Sequence, residues 1–285
     1  MFIKDKKFII LGADGQLGRE FERVLKQRSY QVIVPDESSA DITDHDSMLV
    51  LFDSVNPDIV INCAAYSAVD NAEEDQDTAF EINAQAPAGL AGLCGRYDAF
   101  FVHYSTDYVF DGTKGDLYTE EDVPCPLNVY GQSKLEGERA VLEGMGDKCL
   151  VLRTSWVIGQ GQQNFLYKLS QWAANSIDLS ISSDEISVPT FTSTIVELTL
   201  AALEKGLSGL YHAVSTGRAS RYDLARAYIK YKGMKNRLEQ VPMAMFKTKA
   251  KRPLNAAMSN RKLSADLGIK IPKWEDALKQ YIKTQ

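Results

Sequence analysis

A tyrosine and a lysine lie four residues apart in the stretch Tyr130-Gly-Gln-Ser-Lys134. On a helix this spacing places both side chains on one face, one turn apart, so the phenol and the ammonium can address the same substrate atom. A free phenol has a pKa of about 10, and a nearby ammonium favours the phenolate. A tyrosine in that setting can donate a proton to a ketone oxygen near neutral pH. The same spacing also occurs on solvated helix faces, so its meaning depends on the surrounding elements.

Two hydroxyl residues, Ser105 and Thr106, follow a predicted strand at 100–104, upstream of this tyrosine. In an open parallel sheet, ligands bind beyond the carboxyl ends of the strands. The two hydroxyls are therefore predicted to lie where the chemistry takes place.

A glycine-rich turn follows the first apolar run of the chain, which covers residues 8–11. Its sequence is Gly12-Ala-Asp-Gly15-Gln-Leu-Gly18, and an apolar pattern with helical spacing comes next. Strand, glycine turn and helix thus follow the order of a dinucleotide site, in which phosphate rests on the helix N-terminus. The spacing is G-x-x-G-x-x-G, and a glycine loop without a ligand is the alternative. The residues predicted to contact the cofactor here are Gly12, Gly15, Gln16 and Leu17.

An acidic residue just beyond the second predicted strand, which covers residues 31–34, bears on the choice of cofactor. Asp36 lies 18 residues beyond Gly18, where an acidic side chain can bind the adenosine ribose hydroxyls and repel a 2′-phosphate. This favours NADH. Because Arg19 and Lys26 are near in sequence, NADPH stays open.

Further cofactor-side positions lie in the next segments of the chain. A strand predicted at 58–62 runs into small residues that suit a strand passing under a cofactor, and an alanine-rich helix follows at about 78–96. Asn83, a polar residue inside that helix, either has no special role or holds a backbone carbonyl or a water near the site. Asp41 and Ile42 are placed to flank the adenine, but they can equally belong to the cap of a helix that begins near Asp44. The positions predicted in these segments are Asp41, Ile42, Ala64, Ala65, Tyr66 and Asn83.

Composition excludes several classes of function. A net charge of −6 with interspersed signs makes nucleic acid and anionic membranes poor partners. The N-terminal apolar run is too short for a signal peptide or a membrane span, and we expect a reduced, cytoplasmic protein. Four scattered cysteines without a Cys-x-x-Cys pair and three scattered histidines predict neither disulfides nor a metal site. These residues are Cys63, Cys94, Cys125, Cys149, His45, His103 and His212.

The alternation of strands and helices predicts an α/β protein with a Rossmann-type doubly wound parallel sheet. We assign residues 1–155 to a dinucleotide-binding domain that contains the Tyr130 helix. Residues 156–285 are assigned mainly to a small C-terminal α/β substrate lobe, with some segments returning to the sheet. In this half the pattern predicts helices near 162–175, 193–205, 220–232 and 274–283, and strands near 179–181 and 210–214.

Over nearly its whole length the chain resembles the extended short-chain dehydrogenase/reductases. Within that superfamily it is most similar to the dTDP-4-dehydrorhamnose reductases. The general motifs are the three glycines, Asn62-Cys-Ala-Ala65, Ser105-Thr-Asp107 and the Tyr130/Lys134 pair. The more specific ones are Tyr104-Ser-Thr-Asp-Tyr-Val-Phe-Asp-Gly112, Pro126-Leu-Asn-Val-Tyr-Gly131, Arg153-Thr-Ser-Trp-Val157, Asn164-Phe165, Arg252-Pro253, Asn255 and Lys262-Leu263.

The resemblance implies an NAD(P)H-dependent reductase that acts on the C4 ketone of a nucleotide-linked 4-keto-6-deoxy sugar in surface polysaccharide synthesis. It implies that Thr106, Tyr130 and Lys134 are catalytic, with Tyr130 as the proton donor and Lys134 also binding the nicotinamide ribose. The substrate-side positions that it implies are Val69, Thr106, Asp107, Trp156 and Arg252. Trp156 can equally be a core aromatic and Arg252 a surface cation, although an arginine fork suits a pyrophosphate. Members of the family are often dimers, so a homodimer stays open.

Two features separate this chain from its relatives. The related 4,6-dehydratases need a glutamate after the aspartate, whereas Asp107 is followed here by Tyr108, which argues against dehydration. Where the family commonly has Asp-Gln-x-Gly-x-Pro-Thr, residues 184–190 carry Glu185 and Ser187 in place of Gln and Gly, so the exact sugar or nucleotide is left open. An epimerase that recycles its hydride and a non-catalytic cofactor-binding subunit are the alternative functions.

Overall fold

The computed structural model describes residues 3–35 and 40–284. Its strands are β1 (Lys7–Leu11), β2 (Gln31–Ile33), β3 (Ile59–Asn62), β4 (Phe100–Thr106), β5 (Cys149–Thr154), β6 (Val157–Ile158), β7 (Asp178–Ser182), β8 (Ile186–Ser187), β9 (Thr190–Phe191), β10 (Gly209–His212), β11 (Ala219–Ser220) and β12 (Arg237–Val241). Its α-helices are α1 (Gln16–Gln27), α2 (His45–Val55), α3 (Val69–Ala72), α4 (Gln76–Phe80), α5 (Ala86–Arg96), α6 (Val129–Met145), α7 (Phe165–Asn175), α8 (Thr192–Lys205), α9 (Arg221–Lys232), α10 (Arg261–Leu267) and α11 (Trp274–Lys283).

Six parallel strands form the central sheet in the order β10-β5-β4-β3-β1-β2. The chain moves outward from β1 to β2 and then returns to the other side of β1 with β3, so the direction of winding reverses between β1 and β3. Ligands bind at such a reversal in doubly wound sheets. The glycine turn follows β1 and the residues around Ala64 follow β3, which places both at this point. The predicted fold class is confirmed.

Helices cover both faces of the sheet, which explains why its strands are nearly continuous apolar runs. On one face Phe8 and Ile10 pack with Phe21 of α1 and with residues of α8 and α10. On the other face Ile9 and Val60 pack with residues of α2, α5 and α6. The sheet is therefore buried on both sides, and its carboxyl edge is the place where polar side chains can meet a ligand.

The second half of the chain contributes to two regions. β10 extends the central sheet beside β5, and α8 packs on α1. The remaining short strands pair as β7 with β12, β8 with β11 and β6 with β9, around an apolar cluster that contains Trp156 and Trp274. The division at residue 155 stays a prediction. None of the helices in the described ranges is long and apolar enough to cross a bilayer.

The predicted helix at 78–96 begins earlier and is not regular. The chain is helical from α4 through α5, but residues 81–85 form one π-helical turn. Asn83 lies in that turn and its side chain bonds outside the helix. Periodicity of apolar residues does not report such a local change of hydrogen bonding.

Candidate active site

The glycine turn has the shape of a phosphate cradle. Gly12 has a φ of +70°, and a Cβ on it would lie 2.5 Å from the backbone nitrogen of Ala64. A Cβ on Gly18 would lie 2.4 Å from the carbonyl oxygen of Gly12. At Gly15, which precedes α1, no side chain caps the helix, so the first backbone N–H groups are left to bind an anion. The turn thus fits the pyrophosphate of a dinucleotide.

A cavity of about 580 Å³ extends from this turn along the carboxyl ends of the strands. It reaches Tyr130 and Lys134 at its far end, so the predicted phosphate cradle and the predicted catalytic pair open into one space. The sequence-predicted positions that line it are Gly12, Gly15, Gln16, Leu17, Asp41, Ile42, Ala64, Ala65, Tyr130 and Lys134. Asp36, on which the preference for NADH rests, lies outside the described residues.

The floor of the cavity is held by two asparagine side chains. Asn62 accepts a hydrogen bond from the backbone of Ala64 at 3.0 Å. Asn83 accepts from the N–H of Tyr66 at 2.9 Å and donates to its carbonyl at 3.0 Å and to the hydroxyl of Ser133 at 3.0 Å. Asn83 therefore holds a backbone carbonyl beside the site, as one of its two sequence interpretations expected. Asn83 and Tyr66 support the wall rather than line the cavity, and their role in cofactor binding stays a prediction.

Asp41 and Ile42 lie just before α2, and the structure distinguishes their two sequence interpretations, adenine contact and helix cap. Asp44 is the cap of α2 and accepts from the N–H groups of Asp46 and Ser47. Asp41 instead accepts from the N–H and the hydroxyl of Thr43, at 2.9 and 2.8 Å. Asp44 is thus the capping residue, which leaves Asp41 and Ile42 as cavity-lining positions.

Helix α6 presents the tyrosine and the lysine at the cavity. The helix begins after Asn128, whose side chain accepts from the N–H of Gly131 at 2.8 Å, and Glu73 accepts from the N–H of Val129 at 2.9 Å. These two acceptors satisfy N–H groups that the first helical turn leaves free. They fix the start of α6 and therefore the positions of Tyr130 and Lys134.

Burial controls the ionisation of both residues. It raises the pKa of Tyr130 to about 12, against a hydrogen bond from Thr106 that lowers it, and the charge of Asp107 raises it further. Burial also lowers the pKa of Lys134 to about 8, against the charge of Glu138. The spacing argument expected a neighbouring ammonium to lower the pKa of Tyr130. The shift is in the opposite direction because removal of the phenol from water outweighs the hydrogen bond from Thr106.

Thr106 and Asp107 lie behind the tyrosine, at the end of β4. Thr106 is buried, and its hydroxyl accepts from the N–H of Tyr108 at 3.1 Å. Asp107 is 2% exposed, and it accepts from Thr106 at 3.2 Å and from Ser187 at 2.6 Å. Both oxygens of this predicted substrate-binding carboxylate are thus engaged by protein hydroxyls.

Two other hydroxyls on the cavity wall have no partner among the described residues. Ser105 Oγ and Thr154 Oγ1 are buried and make no hydrogen bond, and both residues line the cavity. A buried polar atom without a partner is costly. These hydroxyls and the glycine cradle fit a polar, phosphate-bearing molecule such as a nicotinamide dinucleotide.

A second cavity of about 550 Å³ adjoins the first, since Ser67 and Gln163 line both. Val69 and Arg252 line the second cavity, as predicted for substrate-side residues. Tyr108 also lines it and stands edge-on to Tyr130, with ring centroids 5.6 Å apart. The phenol of Tyr130 therefore lies where the two cavities meet.

Arg252 is held on one side and free on the other. One guanidinium nitrogen donates to Asp70 at 2.6 Å, while Nη1 is buried without a partner in the described chain. Asp70 also accepts from the backbone N–H groups of Lys249 and Ala250, which fixes the segment that carries the arginine. The free side of the fork is available to an anionic group of a ligand.

Trp156 does not line either cavity. It is 9% exposed, and the guanidinium carbon of Arg221 lies 3.6 Å from its ring centroid. Arg221 lines the second cavity and pairs with Glu185 at 3.5 Å. Trp156 thus serves as a platform for an arginine that the sequence reasoning missed. Gln163, which lines both cavities, was missed as well; its position in a polar loop gave no signal.

No group of three or more His, Cys, Asp or Glu residues that could hold a metal ion is present in the described ranges.

Comparison with known proteins shows which family this chain resembles. The family described as "RmlD substrate binding domain" matches residues 6–285. A dTDP-4-dehydrorhamnose reductase from Aggregatibacter actinomycetemcomitans is 36% identical over 286 residues, covering 96% of this chain and 97% of its own. A crystal structure of the Clostridium acetobutylicum dTDP-4-dehydrorhamnose reductase superposes with a TM-score of 0.94 at 34% identity, covering 98% of this chain and 99% of its own. The Bacillus anthracis enzyme in complex with NADP superposes with a TM-score of 0.95 at 31% identity, covering 99% and 100%.

Proposed function

Because the chain belongs to the dTDP-4-dehydrorhamnose reductase family, we propose that it reduces the C4 ketone of a nucleotide-linked 4-keto-6-deoxy sugar with NAD(P)H. The specific reaction is dTDP-4-dehydro-L-rhamnose to dTDP-L-rhamnose, which serves rhamnose-containing polysaccharide synthesis. The observation that carries the proposal is the position of Tyr130 between a cavity with a phosphate cradle and a cavity with two arginines.

The lining of the first cavity supports an assignment of the residues that would hold the cofactor. The N–H groups at the start of α1 and the glycine turn would bind the pyrophosphate. Lys134 would bind the nicotinamide ribose, and Ser105 and Thr154 offer hydroxyls that lack partners among the described residues. When bound, the reduced nicotinamide supplies a hydride.

Tyr130 would protonate the sugar oxygen while the C4 carbon becomes tetrahedral, so the ketone becomes an alcohol and the tyrosine is left as a phenolate. A positive charge on Lys134 favours that phenolate. Thr106 would hydrogen-bond the reacting oxygen, since its hydrogen bond already lowers the pKa of the Tyr130 phenol. The buried phenol, with its raised pKa, holds its proton until a substrate oxygen accepts it.

The second cavity would hold the sugar nucleotide. Arg252 offers an unpartnered guanidinium nitrogen for the pyrophosphate. Arg221, stacked on Trp156, supplies a second cation on the wall of the same cavity, and Val69 adds an apolar contact. Tyr108 occupies the position after Asp107 at which a dehydratase needs a glutamate, which supports reduction rather than loss of water.

The proposal is tested with purified protein, the keto sugar nucleotide and either NADH or NADPH. Loss of absorbance at 340 nm that depends on the sugar is expected, and absence of turnover with both cofactors would refute the proposal. The preference for NADH rests on Asp36 and stays a prediction, whereas the Bacillus anthracis relative is in complex with NADP; parallel titrations with the two cofactors decide it. The homodimer also stays a prediction and is tested by the mass of the protein in solution.

A further inference from the structure

The buried carboxylate of Asp107 has two hydroxyl donors, and they are not equivalent. Ser187 Oγ donates to Oδ2 at 2.6 Å, whereas Thr106 Oγ1 donates to Oδ1 at 3.2 Å. A hydroxyl bound to a carboxylate is strongest at about 2.5–2.7 Å, and 3.2 Å lies beyond the usual range for two oxygens. Ser187 is therefore the main partner of Asp107.

The backbone around Ser187 is fixed on both sides. Ser187 pairs with Ala219 of β11. The N–H of Ile186 donates to the carbonyl of Leu254 at 2.6 Å, and its own carbonyl accepts from Ala256 at 3.0 Å. The hydroxyl of Ser187 is thus presented to Asp107 by a short strand that cannot easily move, and it costs little entropy to hold there.

Thr106 has one hydroxyl proton to give. Its oxygen already accepts from the N–H of Tyr108, and a hydrogen bond from this side chain lowers the pKa of the Tyr130 phenol. If the proton is committed to Asp107, it cannot point at Tyr130 or at a substrate oxygen beside it. A carboxylate that is satisfied elsewhere leaves this proton free.

We propose that Ser187 is a positioning residue: by satisfying Asp107, it frees the hydroxyl proton of Thr106 for the reacting oxygen. This role rests on the proposed reductase function. It assigns a purpose to one of the two residues in which this chain departs from the common family pattern, and it acts through Asp107 and Thr106 without contact to either ligand.

In this arrangement the availability of the Thr106 hydroxyl depends on the charge of Asp107. Burial raises the pKa of Asp107 to about 6, while the bonds from Ser187 and Thr106 lower it. Loss of the serine hydroxyl therefore raises this pKa further, and the protonated carboxyl would then compete for the oxygen of Thr106. The other charged or titratable groups that face Asp107 are Arg221, Glu185, Tyr108 and Tyr130.

The contact itself is tested by NMR on protein labelled with ¹³C at the aspartate carboxyl groups, with the Asp107 signal assigned from its absence in Asp107→Asn. In Ser187→Ala the titration midpoint of Asp107 is expected to rise by about one pH unit. Ser155→Ala is the matched control: it also removes a buried hydroxyl bound to the same segment, at the carbonyl of Val188, and should leave the midpoint in place. An unchanged midpoint in Ser187→Ala would overturn the proposal.

The catalytic consequence is tested by steady-state kinetics against pH. In Ser187→Ala we expect kcat at neutral pH to fall about tenfold, because a charge-assisted bond is lost. The acidic limb of the profile of kcat against pH should move to higher pH, and KM for the cofactor should stay unchanged. In an Asp107→Asn background the serine substitution should have no further effect on kcat. Effects that multiply, or a kcat profile that does not change, contradict the role of Ser187. Absence of turnover in the unmodified chain refutes the proposed reaction instead, so the two failures are distinct.

Discussion

Substitution of Gly12 by alanine tests whether the glycine turn needs a residue without a side chain where it passes close to the backbone of Ala64. The backbone of Gly12 has a φ of +70°, and an added Cβ would lie 2.5 Å from the nitrogen and 2.6 Å from the Cα of Ala64. The left-handed conformation costs an alanine about 1–2 kcal/mol. Contact with backbone atoms adds about 1–3 kcal/mol, because the backbone of Ala64, just after β3, cannot turn aside as a flexible side chain would. Together they predict a loss of about 2–5 kcal/mol in the free energy of unfolding.

A backbone shift that relieves this contact should also weaken binding of the dinucleotide, because the turn supplies the N–H groups for its pyrophosphate. We expect the dissociation constant for NADPH or NADH, measured by quenching of tryptophan fluorescence, to rise at least about tenfold, or about 1.4 kcal/mol. The matched control is Gly92→Ala, inside α5, where an added Cβ meets nothing within 4 Å. It should stabilise the protein by about 0.5–1 kcal/mol and leave the cofactor affinity unchanged. A Gly12→Ala protein with the stability and affinity of the unmodified chain would refute this reasoning.

Three further changes give separate outcomes. Arg252→Lys keeps the charge and the contact with Asp70 within reach but loses the second arm of the fork, so KM for the sugar nucleotide should rise about tenfold with cofactor affinity constant; a parallel loss of cofactor affinity would contradict this. Glu138→Gln leaves the buried guanidinium of Arg153 without its counter-charge and should cost about 3 kcal/mol in urea denaturation; a loss below about 1 kcal/mol would not fit. Burial beside Arg153 lowers the pKa of His212 to about 3 from 6.5, so only the unfolded chain takes up this proton as pH falls from 6.5, and stability should drop by about 3 kcal/mol at pH 4. His212→Asn should remove that part of the pH dependence, measured by denaturation at each pH.

Local sequence patterns predicted the parts of the site that depend on local structure. The glycine turn, the hydroxyl of Ser105 at the end of β4 and the Tyr130/Lys134 pair each follow from a strand end or a helical spacing, and the structure brings them to one cavity. The parallel sheet also followed from the alternation of apolar runs and helical segments, because parallel strands need crossover helices.

The parts that were missed depend on contacts between distant residues. Arg221 reaches Trp156 and Glu185 only because α9 packs against β7 and β11, and no spacing along the chain reports that packing. The raised pKa of Tyr130 is likewise a result of burial, which spacing does not give. The bond between Ser187 and Asp107 joins residues 80 positions apart. The sequence showed Ser187 as a departure from a family pattern but could not show its partner.

The central claim is net reduction at C4, with Tyr130 as the proton donor. It is tested most directly by incubation of dTDP-4-dehydro-L-rhamnose with cofactor deuterated at the transferred position, with the product followed by NMR and the oxidised cofactor by absorbance. Reduction predicts one oxidised cofactor per sugar and deuterium at C4 of the product, with the rate reduced at least about a hundredfold in Tyr130→Phe while cofactor binding persists. Conversion of the sugar without consumption of the cofactor, as in an epimerase, or full activity in Tyr130→Phe, would contradict the claim.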